Sequence, residues 1–445
     1  MRDYLAAAMK SATDTQEIVI SGIGEVADVF DRHFPGSLPI IIADTNTFEV
    51  AGAKAEATLR IHHPGMIDPV VLPGKPRLTP EESLADDMAG RISKTDAIPV
   101  AVGSGTINDI VKLASHRSGR PYMVVATAAS MDGYASFGAA MIVRGRKTTI
   151  PCPAPRVVIA DPEVLLSAPL EMTSAGFADL VGKITAGADW IIADALGIEP
   201  IDYEVWGMVQ NRLSTWIDKP DLILERNAEA VTNLFSGLAI SALAMQAYQE
   251  TRPASGTEHL FSHVWEMEHL EYRNEPVSHG FKVGIGTLAA SALLEVLFDN
   301  FSNREIAAIA AKGKPPISIE GRRVEIAAVF GETPYTEAVM EISIQKLADG
   351  ATLSQRRKSA TDVWDDLRRR MKVQVPPFQT LRRVLDAAGC PVDPANIGIT
   401  KKRVASTFRM AQMIRPRYTA LDLAYELDLL DICIDLVLDS GRYFE

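Results

Sequence analysis

The chain has 445 residues, of which 47% are hydrophobic and 23% are charged, and its formal net charge is −12 at pH 7. This length allows two domains with separate cores. The acidic balance argues against broad nucleic-acid binding. The first residues contain no apolar run typical of a signal peptide, and nowhere do about 18 uncharged apolar residues follow one another. We therefore expect a soluble cytoplasmic protein with no membrane partner.

Short apolar runs alternate with helical patterns from the N-terminus to about residue 165. This alternation is typical of a parallel sheet with helices on both faces. Thr79-Pro80-Glu81-Glu82 has the pattern of a capping box, which predicts that a helix begins there. The predicted strands are residues 17–20, 39–43, 69–72, 98–102, 122–126 and 156–160.

Beyond residue 165 the pattern is almost wholly helical. The predicted long helices cover residues 174–195, 226–250, 257–270, 279–298, 353–372 and 418–438. The sequence thus predicts a Rossmann-like α/β nucleotide-binding domain over residues 1–165, followed by an all-α metal- and substrate-binding domain over residues 166–445. The three cysteines, Cys152, Cys390 and Cys433, are far apart and lack metal-type spacing, so we expect buried thiols.

The most informative segment covers residues 97–136. A predicted strand there enters the turn Gly103-Ser104-Gly105 and then a helix, a geometry whose backbone N–H groups can hold a diphosphate. The next strand ends in a loop that carries Thr127, Ser130, Asp132 and Ser136, more polar groups than a connection needs. Adjacent strand ends of this kind form the crevice in which open α/β sheets bind nucleotides.

Asp44 follows the second predicted strand. A carboxylate at this place can bond ribose hydroxyls and repel a 2′-phosphate, which favours NAD over NADP.

The helical half carries a second constellation. Asp179 lies early in a predicted helix, and four of the eight histidines fall between residues 259 and 279, among them His259, His263 and His279. One carboxylate and two imidazoles can bind a divalent cation such as zinc, iron or nickel. Clustering alone does not identify the ligands, and His263 or His269 could replace one of the others.

Several motifs together resemble the glycerol-1-phosphate dehydrogenase family, its bacterial branch in particular. They are IIADTNTFEVAG, VGSGTINDIVK, ATAASMDGYAS, AGFADLVGK, EHLFSH, SHG and IRPRYT. This family is a branch of the superfamily of glycerol dehydrogenases, iron-containing alcohol dehydrogenases and dehydroquinate synthases. The resemblance therefore implies a dehydroquinate synthase-like fold, and it also implies a homodimer.

The resemblance assigns roles to individual residues. It implies that Asp179, His259 and His279 bind one divalent metal ion (Zn, Ni or Fe), and that Asp132 and His263 contact the substrate and serve catalysis. The positions that it implies for NAD or NADP, taken with Asp44, are Gly103, Ser104, Gly105, Thr106, Asn108, Asp109, Thr127, Ala128, Ser130 and Ser136. Ser104 departs from the glycine that is common in the family at this place in the turn.

The implied reaction is the metal-dependent interconversion of dihydroxyacetone phosphate and sn-glycerol 1-phosphate with NAD(P)H, a step of phospholipid metabolism. Lys282, or Arg146 with Lys147, could supply the positive charge for the phosphate of this three-carbon substrate. Three alternatives are weighed against it: a dehydroquinate synthase-like lyase, a dehydrogenase of unphosphorylated glycerol or another polyol, and a non-catalytic nucleotide or metal sensor.

Overall fold

The computed structural model describes residues 2–11, 13–143 and 146–444 of the chain. Its internal contacts group the chain into two compact units. The first unit contains Met1–Leu180 and Gly207–Thr251, and the second contains Val181–Trp206 and Arg252–Glu445. The division expected from the sequence lies at residue 165, before a long helix, whereas the two units meet in sequence within that helix.

A six-stranded, fully parallel sheet organises the first unit, with the strand order β1-β8-β5-β4-β2-β3. The strands are β1 (Glu17–Ile20), β2 (Pro39–Asp44), β3 (Ile67–Leu72), β4 (Ile98–Gly103), β5 (Met123–Ala126) and β8 (Val157–Ala160). Strands β4, β5 and β8 are buried along their whole length, as expected for parallel strands covered on both faces. The predicted parallel sheet is confirmed.

The helices up to residue 248 precede, alternate with or follow these strands in the sequence. They are α1 (Arg2–Ala8), α2 (Val26–His33), α3 (Thr45–Thr47), α4 (Ala53–His62), α5 (Glu82–Ile92), α6 (Gly105–Arg117), α7 (Pro162–Ser167), α8 (Leu170–Ala195), α9 (Tyr203–Ile217), α10 (Asp221–Leu224) and α11 (Ala228–Tyr248). Helix α8 begins in the first unit and ends in the second, and α9 begins in the second and ends in the first. Phe30, Ile41, Val100, Val125 and Ile159 belong to one buried apolar core between the sheet and its helices.

Two local features of the first unit differ from the sequence prediction. An antiparallel hairpin of β6 (Ala139–Val143) and β7 (Arg146–Ile150) was not predicted. The predicted helix start is confirmed, since α5 begins at Glu82, but the predicted capping box is wrong because no side chain caps this helix. The reason is tertiary: Pro80 accepts a hydrogen bond from the Ile142 N–H, which draws the preceding segment onto the hairpin.

The second unit is helical apart from a two-stranded pair, β9 (Glu271–Tyr272) and β10 (Glu275–Pro276). Its helices are α12 (Thr257–Met267), α13 (His279–Asn300), α14 (Asn303–Lys312), α15 (Ile319–Phe330), α16 (Thr336–Gln345), α17 (Gly350–Gln374), α18 (Phe378–Ala387), α19 (Lys401–Met413), α20 (Ala420–Glu426) and α21 (Leu430–Asp439). The single helix predicted over residues 418–438 is two helices, because Asp428 adopts a left-handed conformation with φ 57°.

Helices α11 and α13 are long and apolar enough to cross a membrane by length and composition alone. However, 72% and 89% of their apolar stretches are buried within the fold. This burial is typical of core helices in soluble proteins, and α13 packs against α12, α17, α18 and α21. The three cysteines are buried and free, as expected from their spacing.

Gly176 marks the closest approach between α8 and the loop that follows β5. A Cβ added at Gly176 would lie 1.9 Å from the carbonyl oxygen of Ala129 and 3.1 Å from the Cα of Ser130. Both neighbours are main-chain atoms, so no side-chain rotation can relieve the overlap. Helix α8 can therefore lie against this loop only with glycine at this position.

We predict that Gly176→Ala lowers the free energy of unfolding by about 1–3 kcal/mol, because the added methyl group must displace main chain. Gly90→Ala is the matched control, since nothing lies within 4 Å of a Cβ at this exposed position of α5. The control should raise the free energy of unfolding by about 0.5–1 kcal/mol, the helix-propensity difference. Urea unfolding measures both changes, and equal stability of the two variants would contradict the close approach.

Candidate metal and nucleotide site

The glycine turn predicted from the sequence joins β4 directly to α6. Gly103 ends the strand, Ser104 is the residue before the helix, and α6 begins at Gly105. A Cβ at Gly103 would lie 2.5 Å from the Cβ of Ile107, so the turn requires glycine there. The Ser104 side chain makes no capping hydrogen bond to the helix. The first N–H groups of α6 and the helix dipole thus favour an anion at this turn.

Three neighbouring strand ends bring most of the predicted nucleotide residues to one edge of the sheet. Strands β5, β4 and β2 are adjacent and parallel, and their carboxyl ends lead to Thr127, Gly103 and Asp44. The Thr127 N–H donates to the Gly103 carbonyl at 3.1 Å, which joins the glycine turn to the loop after β5. We call residues 127–138 the β5 loop. Thr127 and Ala128 in this loop are buried, whereas Ser130 and Thr106 are half-buried.

Several of these predicted residues are engaged in contacts within the protein. Asp44 caps the turn after β2, accepting the N–H groups of the second and third residues that follow it. The Asn108 side chain donates to the Gly133 carbonyl at 3.2 Å, and the Ser136 hydroxyl donates to the same oxygen at 2.9 Å. The hydrogen bonds of Asn108 and Ser136 shape the β5 loop. A direct contact of Asp44, Asn108 or Ser136 with a nucleotide stays a prediction.

Lys112 and Asp109 form a buried pair beneath the β5 loop. The Lys112 ammonium donates to the carbonyl oxygens of Gly133, Ser136 and Gly138, each at 3.0 Å, and lies 4.0 Å from the Asp109 carboxylate. Burial lowers the pKa of Lys112 and raises the pKa of Asp109 to about 6, although each charge favours the other. Asp109 is 6% exposed, and a contact of its carboxylate with a nucleotide stays a prediction.

The predicted metal ligands lie together. The ligand atoms of Asp179, His259 and His279 are all within 4.8 Å of one another, and the described residues contain no other such group of three. Asp179 lies on α8, His259 is the third residue of α12, and His279 is the first of α13. Helices α12 and α13 approach closely, because a Cβ at Gly286 would lie 2.4 Å from the Glu258 carbonyl oxygen.

Each of the two histidines is held by a carboxylate on its Nδ1. The distance from His259 Nδ1 to Glu258 Oε1 is 2.7 Å, and the distance from His279 Nδ1 to Glu266 Oε1 is 2.8 Å. A carboxylate behind a ligating histidine fixes its tautomer and leaves the Nε2 lone pair for a metal ion. The donor set of one carboxylate and two imidazoles therefore fits a divalent transition metal.

Glu258 is itself part of a fully buried network in the second unit. Its carboxylate accepts from the Gly256 N–H at 2.6 Å and from the Thr185 hydroxyl at 2.7 Å. Burial raises the pKa of this carboxyl, but the hydrogen bonds that it accepts outweigh burial and hold the pKa below its ordinary value. Burial and the neighbouring Glu258 charge raise the pKa of Asp189 to about 7. Asp189 accepts the Thr257 N–H at 2.6 Å, which anchors the start of α12.

The two predicted substrate residues adjoin the predicted metal ligands. The Asp132 N–H donates to Asp179 Oδ2 at 3.1 Å, and His263 lies one turn after His259 with its ring centroid 6.2 Å away. Asp132 Oδ2 accepts the Ser241 hydroxyl at 3.0 Å. His269 lies in an exposed turn after α12, with φ 52°, and does not belong to the cluster. The structure thus groups Asp132 with the predicted ligand carboxylate.

Sequence reasoning missed the residues that support this site, namely Glu258, Glu266, Lys112 and Ser241. A partial signal existed for Glu258, Lys112 and Ser241, because each is a polar residue within an otherwise apolar, buried stretch of its helix. Buried polar groups need partners, so such residues indicate a network. Their partners could not be identified from spacing alone.

We predict that Glu266→Gln weakens the affinity for Zn²⁺ or Ni²⁺ by about 10- to 100-fold, because the supporting carboxylate loses its charge. Glu268→Gln is the matched control, since Glu268 is exposed and pairs with Arg403 at the surface. Calorimetric titration of metal-free protein measures both affinities. Wild-type affinity in the Glu266 variant would show that this carboxylate does not support His279.

We predict that Asp109→Asn changes how stability depends on pH. The folded-state pKa of about 6 lies above the ordinary 3.8, so the folded protein holds the proton more tightly than the unfolded chain. The stability contributed by Asp109 is therefore present at low pH and is lost as the pH rises through about 6. Urea unfolding from about pH 4 to about pH 7 should show a smaller decline for the variant than for wild type. The exposed Asp87→Asn should follow wild type, and identical profiles for both variants would refute the assignment.

Comparison with known proteins places this geometry in a family. The model of the iron-containing alcohol dehydrogenase family matches residues 17–169. A glycerol-1-phosphate dehydrogenase (NAD(P)+) from Halalkalibacterium halodurans is 33% identical over 70% of this chain and 77% of the relative. The enzyme of the same name from Bacillus velezensis is 32% identical over 87% of this chain and 85% of the relative.

Solved structures share the fold at low sequence identity. Glycerol dehydrogenase from Schizosaccharomyces pombe aligns with a TM-score of 0.58 at 13% identity, over 98% of this chain and 93% of that one. Maleylacetate reductase from a Rhizobium species aligns with a TM-score of 0.56 at 14% identity, over 97% of both chains. These matches confirm the predicted fold. The sequence relatives confirm the resemblance, and the chain belongs to the glycerol-1-phosphate dehydrogenase family.

Proposed function

We propose that this protein is a metal-dependent oxidoreductase that interconverts dihydroxyacetone phosphate and sn-glycerol 1-phosphate with NADH or NADPH. The observation that carries this proposal is the cluster of Asp179, His259 and His279, whose ligand atoms lie within 4.8 Å of one another. The sequence relatives carry the name of this activity and of its NAD(P)+ cofactor.

Asp179, His259 and His279 would hold the divalent cation. When bound, such an ion supplies Lewis acidity to the C2 oxygen of the substrate. The protein's part is to keep the three ligand side chains oriented. Glu258 and Glu266 do so through the Nδ1 atoms of the two histidines, and the Asp132 N–H does so through Asp179 Oδ2.

The turn Gly103–Gly105 and the first N–H groups of α6 would hold the diphosphate of the dinucleotide. The β5 loop, with Thr127 and Ser130, would contact its nicotinamide end. Asp44 at the end of β2 would face the ribose hydroxyls, and its negative charge disfavours a 2′-phosphate. We accordingly propose that NADH is used more readily than NADPH.

Asp132 and His263 would contact the substrate. The Asp132 carboxylate can accept a hydrogen bond from a substrate hydroxyl, and His263 can exchange a proton with the reacting oxygen. Both lie beside the residues that would hold the cation. Placing both groups near the reacting carbon is the protein's main contribution, because orientation lowers the entropic part of the barrier.

We assign the substrate phosphate to Lys282. Lys282 lies in the first turn of α13, is 7% exposed, and its Nζ is 3.5 Å from Glu266 Oε1. It therefore stands next to His279, where a phosphate on the neighbouring substrate carbon would reach. Lys147, by contrast, lies on the hairpin strand β7 near Asp109, and the Arg146 side chain lies outside the described part of the structure.

The names of the relatives do not favour the lyase, the unphosphorylated-polyol dehydrogenase or the sensor. We further propose a homodimer that acts in the cytoplasm on a free small molecule, without nucleic acid or membrane. This part of the proposal is supported by the family resemblance of the sequence.

The proposal predicts rapid NADH oxidation with dihydroxyacetone phosphate and slow oxidation with dihydroxyacetone. Activity should disappear after chelation and return on addition of Zn²⁺, Ni²⁺ or Fe²⁺. Lys282→Met should raise the KM for the phosphorylated ketone by about tenfold or more, because a charged hydrogen bond to phosphate is lost. Its KM for dihydroxyacetone should stay near the wild-type value.

Lys312→Met, at an exposed site at the end of α14, is the control for loss of a lysine charge. It should leave both KM values unchanged. Equal turnover of the two ketones by wild type, or no turnover with any of the cations, would refute the proposed function. An unchanged KM in the Lys282 variant would refute only the phosphate assignment.

A further inference from the structure

Asp132 lies in a short series of hydrogen bonds that joins three elements of the first unit. The Ser241 hydroxyl on α11 donates to Asp132 Oδ2 at 3.0 Å. The Asp132 N–H donates to Oδ2 of Asp179 on α8 at 3.1 Å. Ser241 and Asp179 are both fully buried. The side chain of Asp132 is thus tied to one helix and its main chain to another.

The main chain of the β5 loop is held without Ser241. Lys112 donates to the carbonyl oxygens of three residues in the loop, and Asn108 donates to one of the same carbonyls. Gln246 on α11 donates to the Ala135 carbonyl and also to the Thr15 hydroxyl. These contacts fix the path of the loop. None of these hydrogen bonds is made to the Asp132 carboxylate, which is the group that Ser241 contacts.

The hydroxyl of Ser241 is used differently from that of its neighbour Ser236. Ser236, equally buried on α11, donates to the Thr232 carbonyl four residues earlier at 2.8 Å. This local bond is the usual one for a serine within a helix. Ser241 instead donates across to a carboxylate 109 residues earlier in the sequence. A hydrogen bond to a charged acceptor is stronger and more directional than the local bond.

We propose that Ser241 is a positioning residue that sets the orientation of the Asp132 carboxylate relative to Asp179. The assignment rests on the proposed function, in which Asp132 contacts the substrate beside the metal ligands. Ser241 touches no reacting atom. Its hydrogen bond favours the Asp132 rotamer in which Oδ2 meets the Ser241 hydroxyl.

The experiment compares Ser241→Ala with Ser236→Ala, which removes a hydroxyl of equal burial from the same helix. Ser241→Ala should lower kcat for dihydroxyacetone phosphate by about tenfold, the loss of one charge-assisted hydrogen bond. Metal content and NADH affinity should stay within about twofold of wild type, because Lys112, Asn108 and Gln246 still hold the loop. Ser236→Ala should match wild type in all three measurements.

A double-mutant cycle separates positioning from a general loss of structure. In an Asp132→Asn background, Ser241→Ala should lower kcat by less than about twofold, since the oriented carboxylate is already absent. Crystal structures give a readout independent of turnover. The Asp132 carboxylate should occupy one rotamer bonded to Ser241 in wild type and should rotate away in the Ser241 variant.

A tenfold loss that persists in the Asp132→Asn background would overturn the proposal, and so would an unmoved Asp132 in the crystal structure of the variant. Failure of the proposed function is distinguishable from both outcomes. In that case wild type itself does not reduce dihydroxyacetone phosphate, and the two crystal structures still decide whether Ser241 orients Asp132.

Discussion

Two buried carboxylates hold the His259 ring and the start of the helix that carries it. The candidate metal site depends on their placement. Glu258 contacts the His259 ring, and Asp189 accepts main-chain N–H groups of Thr257 and Ala420. Burial and the neighbouring Glu258 charge disfavour the ionised form of Asp189 and raise its pKa to about 7. The cost is offset by hydrogen bonds to the start of α12. Gly256 makes this arrangement possible, because a Cβ there would lie 2.5 Å from Asp189 Oδ2.

The sequence predicted the sheet well because its evidence is local. Each strand is a short apolar run, and the turn at Gly103 carries a geometric requirement that only glycine meets. Predictions failed where a distant contact or the conformation of a single residue overrides the local pattern. Residues before α5 pair with the hairpin of β6 and β7, and the left-handed Asp428 separates α20 from α21 within a continuous apolar pattern. Neither the pairing before α5 nor the backbone conformation of Asp428 is visible in the hydrophobic periodicity of the sequence.

For the candidate site, the sequence indicated the residues that would bind the metal ion but not the residues that orient them. The spacing of the histidines and the family resemblance indicated Asp179, His259 and His279. The residues that orient them depend on the tertiary fold. Glu266 is 13 residues from His279, and Ser241 is 109 residues from Asp132. A charged or hydroxyl residue within a buried helix indicates that a partner exists, but only the packing of helices identifies it.

The contact between Gly176 and the β5 loop has a mechanical consequence. Ala129 and Ser130 lie directly against α8, and Asp179 follows Gly176 by one turn of the same helix. A ligand that pushes on this part of the loop must therefore also push on the helix that carries the carboxylate. The close packing thus couples the position of the loop to the position of the helix.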